Sequence, residues 1–265
     1  MDESTRFYCF RNGSLELVTE AQENDVQLEV ADSWLVEDGR ARSIDAHFDR
    51  FAKWVASVSP ECVSSLSPFF DAVRAEIPRT GRIFPRIEFH AEVKSPNHLF
   101  LRLREAPEQL GEVVLWTLPE PDPRQNPRVK GPDLSLGMQM RRNAKMHGAD
   151  EAVITDSDGF ILEGALSSLV WWKGEKLLST PDELPWLPSV TRDEVFRIAR
   201  QMGFETGTER VKPADLVGLE IWALSSLQGI RAVSDWVGLG GPVGHAKLAE
   251  AFTKRLRMLS TSIDF

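Results

Sequence analysis

One tyrosine and two cysteines are all that this chain of 265 residues holds of either type. Basic side chains are the minority charge, 31 Lys and Arg against 40 Asp and Glu, for a formal net charge of −9. The two cysteines, Cys9 and Cys62, are too few for a disulfide scaffold, and free thiols are the expectation. The acidic balance and the want of a basic stripe exclude a surface built to neutralise phosphates, so no nucleic-acid partner is expected. Apolar runs such as residues 168–172 fall far short of the ~20 residues that a membrane span needs. The opening MDESTRFY lacks the basic-then-apolar order of a signal peptide. A soluble, cytoplasmic protein with neither a membrane partner nor a metal is therefore expected.

What is present is the composition of a folded protein. Hydrophobic residues make up 42% of the chain, enough to bury a core in each of two lobes. Residues 26–36, VQLEVADSWLV, read as a strand that ends in the turn Glu37-Asp38-Gly39. Ser43 can cap a following helix on which Ile44, His47, Phe48, Phe51 and Val55 recur at helical spacing. A second helix is expected over residues 62–77, stopped by Pro78, then strands over 83–90, 99–104 and 112–117. Between residues 118 and 133 stand five prolines, Pro119, Pro121, Pro123, Pro127 and Pro132, which withhold backbone donors from helix and sheet. The tract 118–133 reads as a linker between a small N-terminal α/β lobe, residues 1–117, and a larger lobe, residues 134–265.

The larger lobe is expected to open on a helix over 134–147, closed by Gly148. Two hairpins follow, 151–155 with 160–163 and 169–172 with 176–178, across turns that carry Gly159 and Gly174. A helix over 191–202, strands near 205–211, 220–224 and 230–237, and a last helix over 244–260 complete an α+β architecture.

Several short segments carry groups that one chemistry would need together. Lys130, in Arg128-Val129-Lys130-Gly131-Pro132, offers a primary amine, the group that captures an aldehyde. Glu163 ends Phe160-Ile161-Leu162-Glu163 and offers a carboxylate able to hold a ring nitrogen protonated, while Gly164 after it permits close backbone approach to a ligand. The stretch Leu187-Pro188-Ser189-Val190-Thr191-Arg192-Asp193-Glu194 reads as a capping box, with Thr191 as N-cap and Glu194 reaching back. Such a helix start presents N–H groups to a dianionic phosphate. Ser226, in Leu224-Ser225-Ser226-Leu227-Gln228-Gly229, adds a hydroxyl and turn amides, and Arg50, in His47-Phe48-Asp49-Arg50, could add a bidentate phosphate contact. An amine, a carboxylate and a phosphate cradle are what pyridoxal phosphate (PLP) asks of a protein.

Together these segments resemble the class IV aminotransferase family of fold type IV PLP enzymes, which includes branched-chain and D-amino-acid aminotransferases and 4-amino-4-deoxychorismate lyase. The resemblance is best from Lys130 to Gly238. Lys130 looks like the family's lysine that holds the cofactor aldehyde. Asp158-Gly159-Phe160-Ile161-Leu162-Glu163-Gly164 looks like its hairpin with the pyridine-nitrogen glutamate, followed by Ser167-Ser168 where the family usually has Ser-Asn. Val190-Thr191-Arg192-Asp193 is similar to the phosphate-binding loop, Ser226-Leu227 to the second phosphate contact, and His47-Phe48-Asp49-Arg50 to the element whose arginine meets the phosphate. Arg104 resembles an arginine that binds substrate carboxylate, with Arg102 on the same strand as the alternative, and Ser33 is a further candidate for the substrate. The resemblance implies a two-lobed fold like that of D-amino-acid aminotransferase, PLP as cofactor, a small amino substrate and a homodimer.

Two departures bear on the reaction. Several transaminases of the family carry a tyrosine on the first-lobe strand where this chain has Ala31, and the one tyrosine here is Tyr8. Arg231-Ala232 stands where a Thr-Pro pair is common. The lyase, which also lacks that tyrosine, is therefore the expected activity, releasing pyruvate and 4-aminobenzoate. The alternatives are an amino-acid aminotransferase of the branched-chain or D-amino acid type and a PLP-binding protein without turnover.

Overall fold

The computed structural model describes residues 5–18, 28–91 and 98–264. Val26 and Gln27, where the first expected strand starts, lie outside the described residues, as do the first four of the opening MDESTRFY. The chain divides into two compact units. The first draws on Met1–Glu108, Val129–Pro132 and Leu259–Phe265, the second on Gln109–Arg128 and Asp133–Met258.

In chain order the first unit forms β1 (Arg6–Arg11), β2 (Ser14–Val18), β3 (Val30–Ser33), β4 (Val36–Glu37), β5 (Arg40–Arg42), α1 (Ile44–Val58), a 3-10 turn (Pro60–Ser65), α2 (Leu66–Glu76), β6 (Arg82–Ile83), β7 (Arg86–Phe89) and β8 (Leu99–Leu103). Its main sheet is antiparallel, in the order β2-β1-β8-β7-β3. A smaller sheet joins β6, β4 and β5 to the late strand Ser260–Ser262. α1 buries Ile44, His47, Phe48, Phe51 and Val55, the set its spacing predicts. Phe51, Phe69 and Phe89 are fully buried in the core of this unit, at about 1.5–3 kcal/mol of transfer free energy each.

Three local expectations for this unit give way. Ser43 enters α1 in a left-handed conformation, φ 46°, and makes no side-chain cap bond, so the helix starts from a turn and not from a hydroxyl cap. The strand expected over 83–90 is split into β6 and β7 at Phe84-Pro85, because Pro85 has no amide to give a ladder. The helix expected over 62–77 begins as a 3-10 turn and becomes α-helical only at Leu66.

The second unit forms β9 (Glu112–Thr117), α3 (Leu134–Met146), β10 (Glu151–Thr155), β11 (Ile161–Gly164), β12 (Ser168–Lys173), β13 (Lys176–Ser179), α4 (Val190–Gln201), β14 (Glu205–Thr208), β15 (Ile221–Ser225), β16 (Gly229–Val237) and α5 (Ala249–Arg257). Its eight-stranded sheet has the order β11-β10-β9-β16-β15-β12-β13-β14. β9 runs parallel to both of its neighbours and β13 parallel to β14; the remaining pairs are antiparallel. β9, expected in the first lobe, sits between β10 and β16, because its alternation places Val113 and Leu115 in the second unit's core. Trp172 packs edge to face on Phe204, Trp222 and Phe252 at one face of that sheet. The last expected helix, over 244–260, is shorter than its pattern, and Ser260–Ser262 turns back as a strand. The proline tract forms neither helix nor strand, but residues up to Arg128 belong to the second unit and Val129–Pro132 to the first.

Candidate active site

In the first unit, Lys130 is fixed by its backbone. Its carbonyl accepts the Ala31 N–H of β3 at 2.6 Å. Gly131 lies so close to the same strand that a Cβ there would strike the Glu29 carbonyl oxygen. One residue past Ala31, Asp32 is fully buried and saturated with donors. Arg50 grips it with Nε on Oδ2 at 2.7 Å and Nη2 on Oδ1 at 2.8 Å. His47 Nδ1 lies 2.8 Å from Oδ1, and the Ser33 N–H donates to Oδ1 at 2.7 Å. Burial alone would raise the Asp32 carboxyl, but Arg50 and then His47 outweigh it and hold it well below the usual carboxylate range. Lys130 and Arg50, far apart in sequence, thus each meet β3, Lys130 through its carbonyl at Ala31 and Arg50 through its guanidinium at Asp32, and Ser33 ends the same strand.

Arg104 follows β8 and lines a pocket of about 290 Å³ with Arg6, Arg82 and Glu105; none of Lys130, Arg50 or Ser33 lines it. Its guanidinium lies 5.0 Å over the Phe84 ring, and its Nε is buried without a hydrogen-bond partner. Burial first, then the charges of Arg86 and Arg102, pulls its pKa down to about 10. Arg102 is committed elsewhere, donating from Nε to Glu88 Oε1 at 2.9 Å and stacking 4.4 Å over Phe7.

In the second unit, Glu163 lies on β11 and is 4% exposed. Its Oε1 accepts Arg124 Nη1 at 2.6 Å and the Leu187 N–H at 2.9 Å. No described hydrogen bond falls on Oε2. Burial pushes the carboxyl up to about 7, a rise that Arg124 and the Leu187 amide only partly offset. Arg124 is in turn held by Asp122, Nε on Oδ1 and Nη2 on Oδ2, each at 2.9 Å. Asp122 is anchored to β10 through its own N–H on the Thr155 carbonyl.

Three residues beyond Leu187, α4 begins. Its cap is Ser189, not the expected Thr191: Ser189 has extended backbone, φ −100° and ψ 117°, and its Oγ accepts the Arg192 N–H at 3.2 Å. Thr191 is already helical, so the expected capping box between Thr191 and Glu194 does not form. The described hydrogen bonds engage the amides of Arg192 and Asp193 with Ser189 and leave those of Val190 and Thr191. Arg192 packs between the rings of Trp186 and Phe196, 4.7 and 5.3 Å from their centres, which steadies this turn. Ser226 and Leu227 form the turn from β15 to β16, where Gln109 Nε2 donates to the Leu227 carbonyl at 2.6 Å.

Sequence reasoning missed Asp32, Asp122 and Arg124. The last two sit in the proline tract, where an acid and an arginine two positions apart look like solvated linker charges. A carboxylate and a guanidinium that close, in a tract too proline-rich for helix or sheet, was the one signal available.

The sequence model of the amino-transferase class IV family matches residues 29–236, and the chain belongs to that family of enzymes. A bifunctional aminodeoxychorismate lyase / D-amino acid transaminase of Mycobacterium tuberculosis is 27% identical over 134 residues, covering 47% of this chain and 43% of that protein. The branched-chain-amino-acid aminotransferase of Escherichia coli is 29% identical over 143 residues, covering 49% and 45%. The matched stretches therefore span less than half the length of each of these relatives. A hypothetical aminotransferase from Mycobacterium tuberculosis, solved in a PLP-bound form, superposes with a TM-score of 0.79 at 20% identity, over 96% of this chain and 98% of that one. The mixed α and β fold expected from the resemblance is the observed one. No helix among the described residues is long and apolar enough to cross a membrane.

Proposed function

We propose that this chain is a PLP-dependent enzyme acting on a small amino substrate, and that it splits 4-amino-4-deoxychorismate into pyruvate and 4-aminobenzoate. The observation that carries the cofactor reading is the bond from the Leu187 amide to Glu163 Oε1. It ties a buried carboxylate to the segment that leads into a phosphate-ready helix start.

The residues present fit the group. Glu163 keeps Oε2 for a ring N–H, and Asp122, Arg124 and Glu163 together carry one uncompensated negative charge, a match for a pyridinium. The amides of Val190 and Thr191 suit a dianionic phosphate. Bound PLP would supply an aldehyde that captures amines and a ring that withdraws electrons from the substrate's bonds.

The chain's own groups then divide the work. Lys130 Nζ would hold the aldehyde of bound PLP, and as a free amine it would take and return the proton at the substrate's amino-bearing carbon. Glu163 keeps the ring nitrogen protonated. Arg50, steadied by Asp32, is offered to phosphate, and so, in the second unit, are the start of α4, Ser226 and the Leu227 amide. Ser33 is offered to a substrate polar group, and Arg104, whose pocket Lys130, Arg50 and Ser33 do not line, to a substrate carboxylate across the interface of the proposed homodimer. In the lyase reaction that proton loss is followed by cleavage of the neighbouring C–O bond. The ring aromatises, and enolpyruvate takes a proton at its methylene to leave as pyruvate.

Two things support the lyase: Ala31, buried where several transaminases of the family carry tyrosine, and the match to a protein named for that activity together with D-amino acid transamination. Amino transfer is the second reading, favoured by the match to the branched-chain-amino-acid aminotransferase. Purified protein given PLP should turn yellow, and borohydride should trap the cofactor on the chain; Lys130→Ala should abolish that adduct completely. The protein should then release fluorescent 4-aminobenzoate from 4-amino-4-deoxychorismate. Keto acids formed from a panel of amino acids, with no 4-aminobenzoate, would put amino transfer in its place. Protein that takes up no PLP would reject both readings. The setting proposed with this activity is a cytoplasmic homodimer, which light scattering of the purified protein tests for its oligomeric part.

A further inference from the structure

We infer that Arg124 is a positioning residue for the ring-nitrogen carboxylate: clamped by Asp122, it favours the charged form of Glu163 and occupies Oε1, so that Oε2 is left for the cofactor. The inference rests on the PLP reading above and adds to it a residue that lies in the proline tract, outside every recognised motif of this chain.

The geometry divides the guanidinium between two tasks. Both oxygens of Asp122 are taken by Nε and Nη2 of Arg124, an arrangement that fixes the plane of the group. Only Nη1 remains, and it reaches Glu163 Oε1 at 2.6 Å. Arg124 and Asp122 both have side chains about nine-tenths buried, so neither is a screened surface charge. Among the described residues of its unit, three groups act on Glu163. Arg124 and the Leu187 amide favour its charged form; Asp122 disfavours it. Burial drives the carboxyl up to about 7 even beside Arg124, so loss of that charge would raise it further and leave it protonated at neutral pH. A merely structural arginine would stabilise the fold equally at every pH. An arginine that acts through Glu163 should instead shift the pH at which a pyridinium-bearing ligand is accepted.

The test is PLP affinity as a function of pH, read from the absorbance of the bound cofactor, with full-length protein. In the wild type, affinity should fall as pH drops and Glu163 takes a proton. In Arg124→Gln the carboxyl is protonated at higher pH, so the midpoint should rise by about one unit or more. Affinity near neutral pH should then drop about tenfold, and the deficit should close in alkaline buffer. Arg124→Lys, which keeps the charge without the second contact to Asp122, should lie between the two. In a Glu163→Gln background, adding Arg124→Gln should cost nothing further. A folded Arg124→Gln protein with the wild-type midpoint, or with a loss of affinity equal at all pH values, overturns the inference. If that variant does not fold, Arg124→Lys decides, and an unchanged midpoint there overturns it too. Wild-type protein that binds no PLP at all would instead bring down the cofactor reading itself, and this inference with it.

Discussion

Asp32 in the first unit and Glu163 in the second are both buried carboxylates gripped by an arginine, yet their acidities move in opposite directions. Asp32 has donors on both oxygens and is held well below its ordinary range; the donors to Glu163 among the described residues all fall on Oε1, and it is pushed up to about 7. The difference teaches how saturation sorts buried acids. A carboxylate whose lone pairs are filled by the protein is a strut. One left with an open oxygen in an equally dry place stores unfavourable charge that a cationic ligand can relieve.

That contrast can be broken first at the strut. Asp32→Ala should cost about 3–5 kcal/mol in urea denaturation, because Arg50 and His47 lose the acceptor around which they are packed. The folded-state pKa of Asp32 lies below its unfolded value, so its stabilisation is present above that value and disappears as acid takes the carboxyl through the depressed one. The wild-type acid limb should carry this loss, and the variant's should not. A cost under about 1 kcal/mol would make Asp32 an ordinary surface-like pair and dissolve the comparison.

Glu163→Gln sharpens the other side. The folded pKa is raised from 4.5 to about 7, so the stabilisation of the protonated form is whole below the unfolded value and is lost as pH climbs through about 7. Cofactor-free wild type should give up on the order of 3 kcal/mol over that interval through this group, and the glutamine variant should be flatter. Parallel curves of stability against pH for the two proteins would show that Glu163 is not strained. The smallest effect concerns the neighbouring helix start: Ser189→Ala should cost about 1 kcal/mol in thermal unfolding, against almost nothing if the cap were Thr191.

Much of the fold was legible where one face of an element is apolar. α1 buries the residues whose spacing announced it, and both hairpins around Gly159 and Gly174 lie within a residue or two of the expected bounds. Legibility failed where a partner distant in sequence decides. β9 reads as a strand, but nothing local says that it will pair with β10 and β16; that choice belongs to non-local hydrogen bonds. The α4 cap was misplaced by two residues because both Ser189 and Thr191 carry a hydroxyl, and only the backbone conformation set by Pro188 and Ser189 distinguishes them. Among the candidate site residues, Lys130, Glu163 and Arg50 stood out by chemistry. Asp122 and Arg124 stayed hidden because salt-bridge burial leaves no periodic trace.

Residues 260–262 complete a sheet with β5, and Ile263 enters the core packed against α1 and α2. During synthesis, the segment that emerges first therefore waits for almost the whole chain before its own edge and interior are finished. The second unit, made of residues 109–258 apart from one four-residue excursion, closes its sheet without that last segment. A released chain truncated after residue 258 should therefore protect the later half from protease while leaving the earlier half open to it.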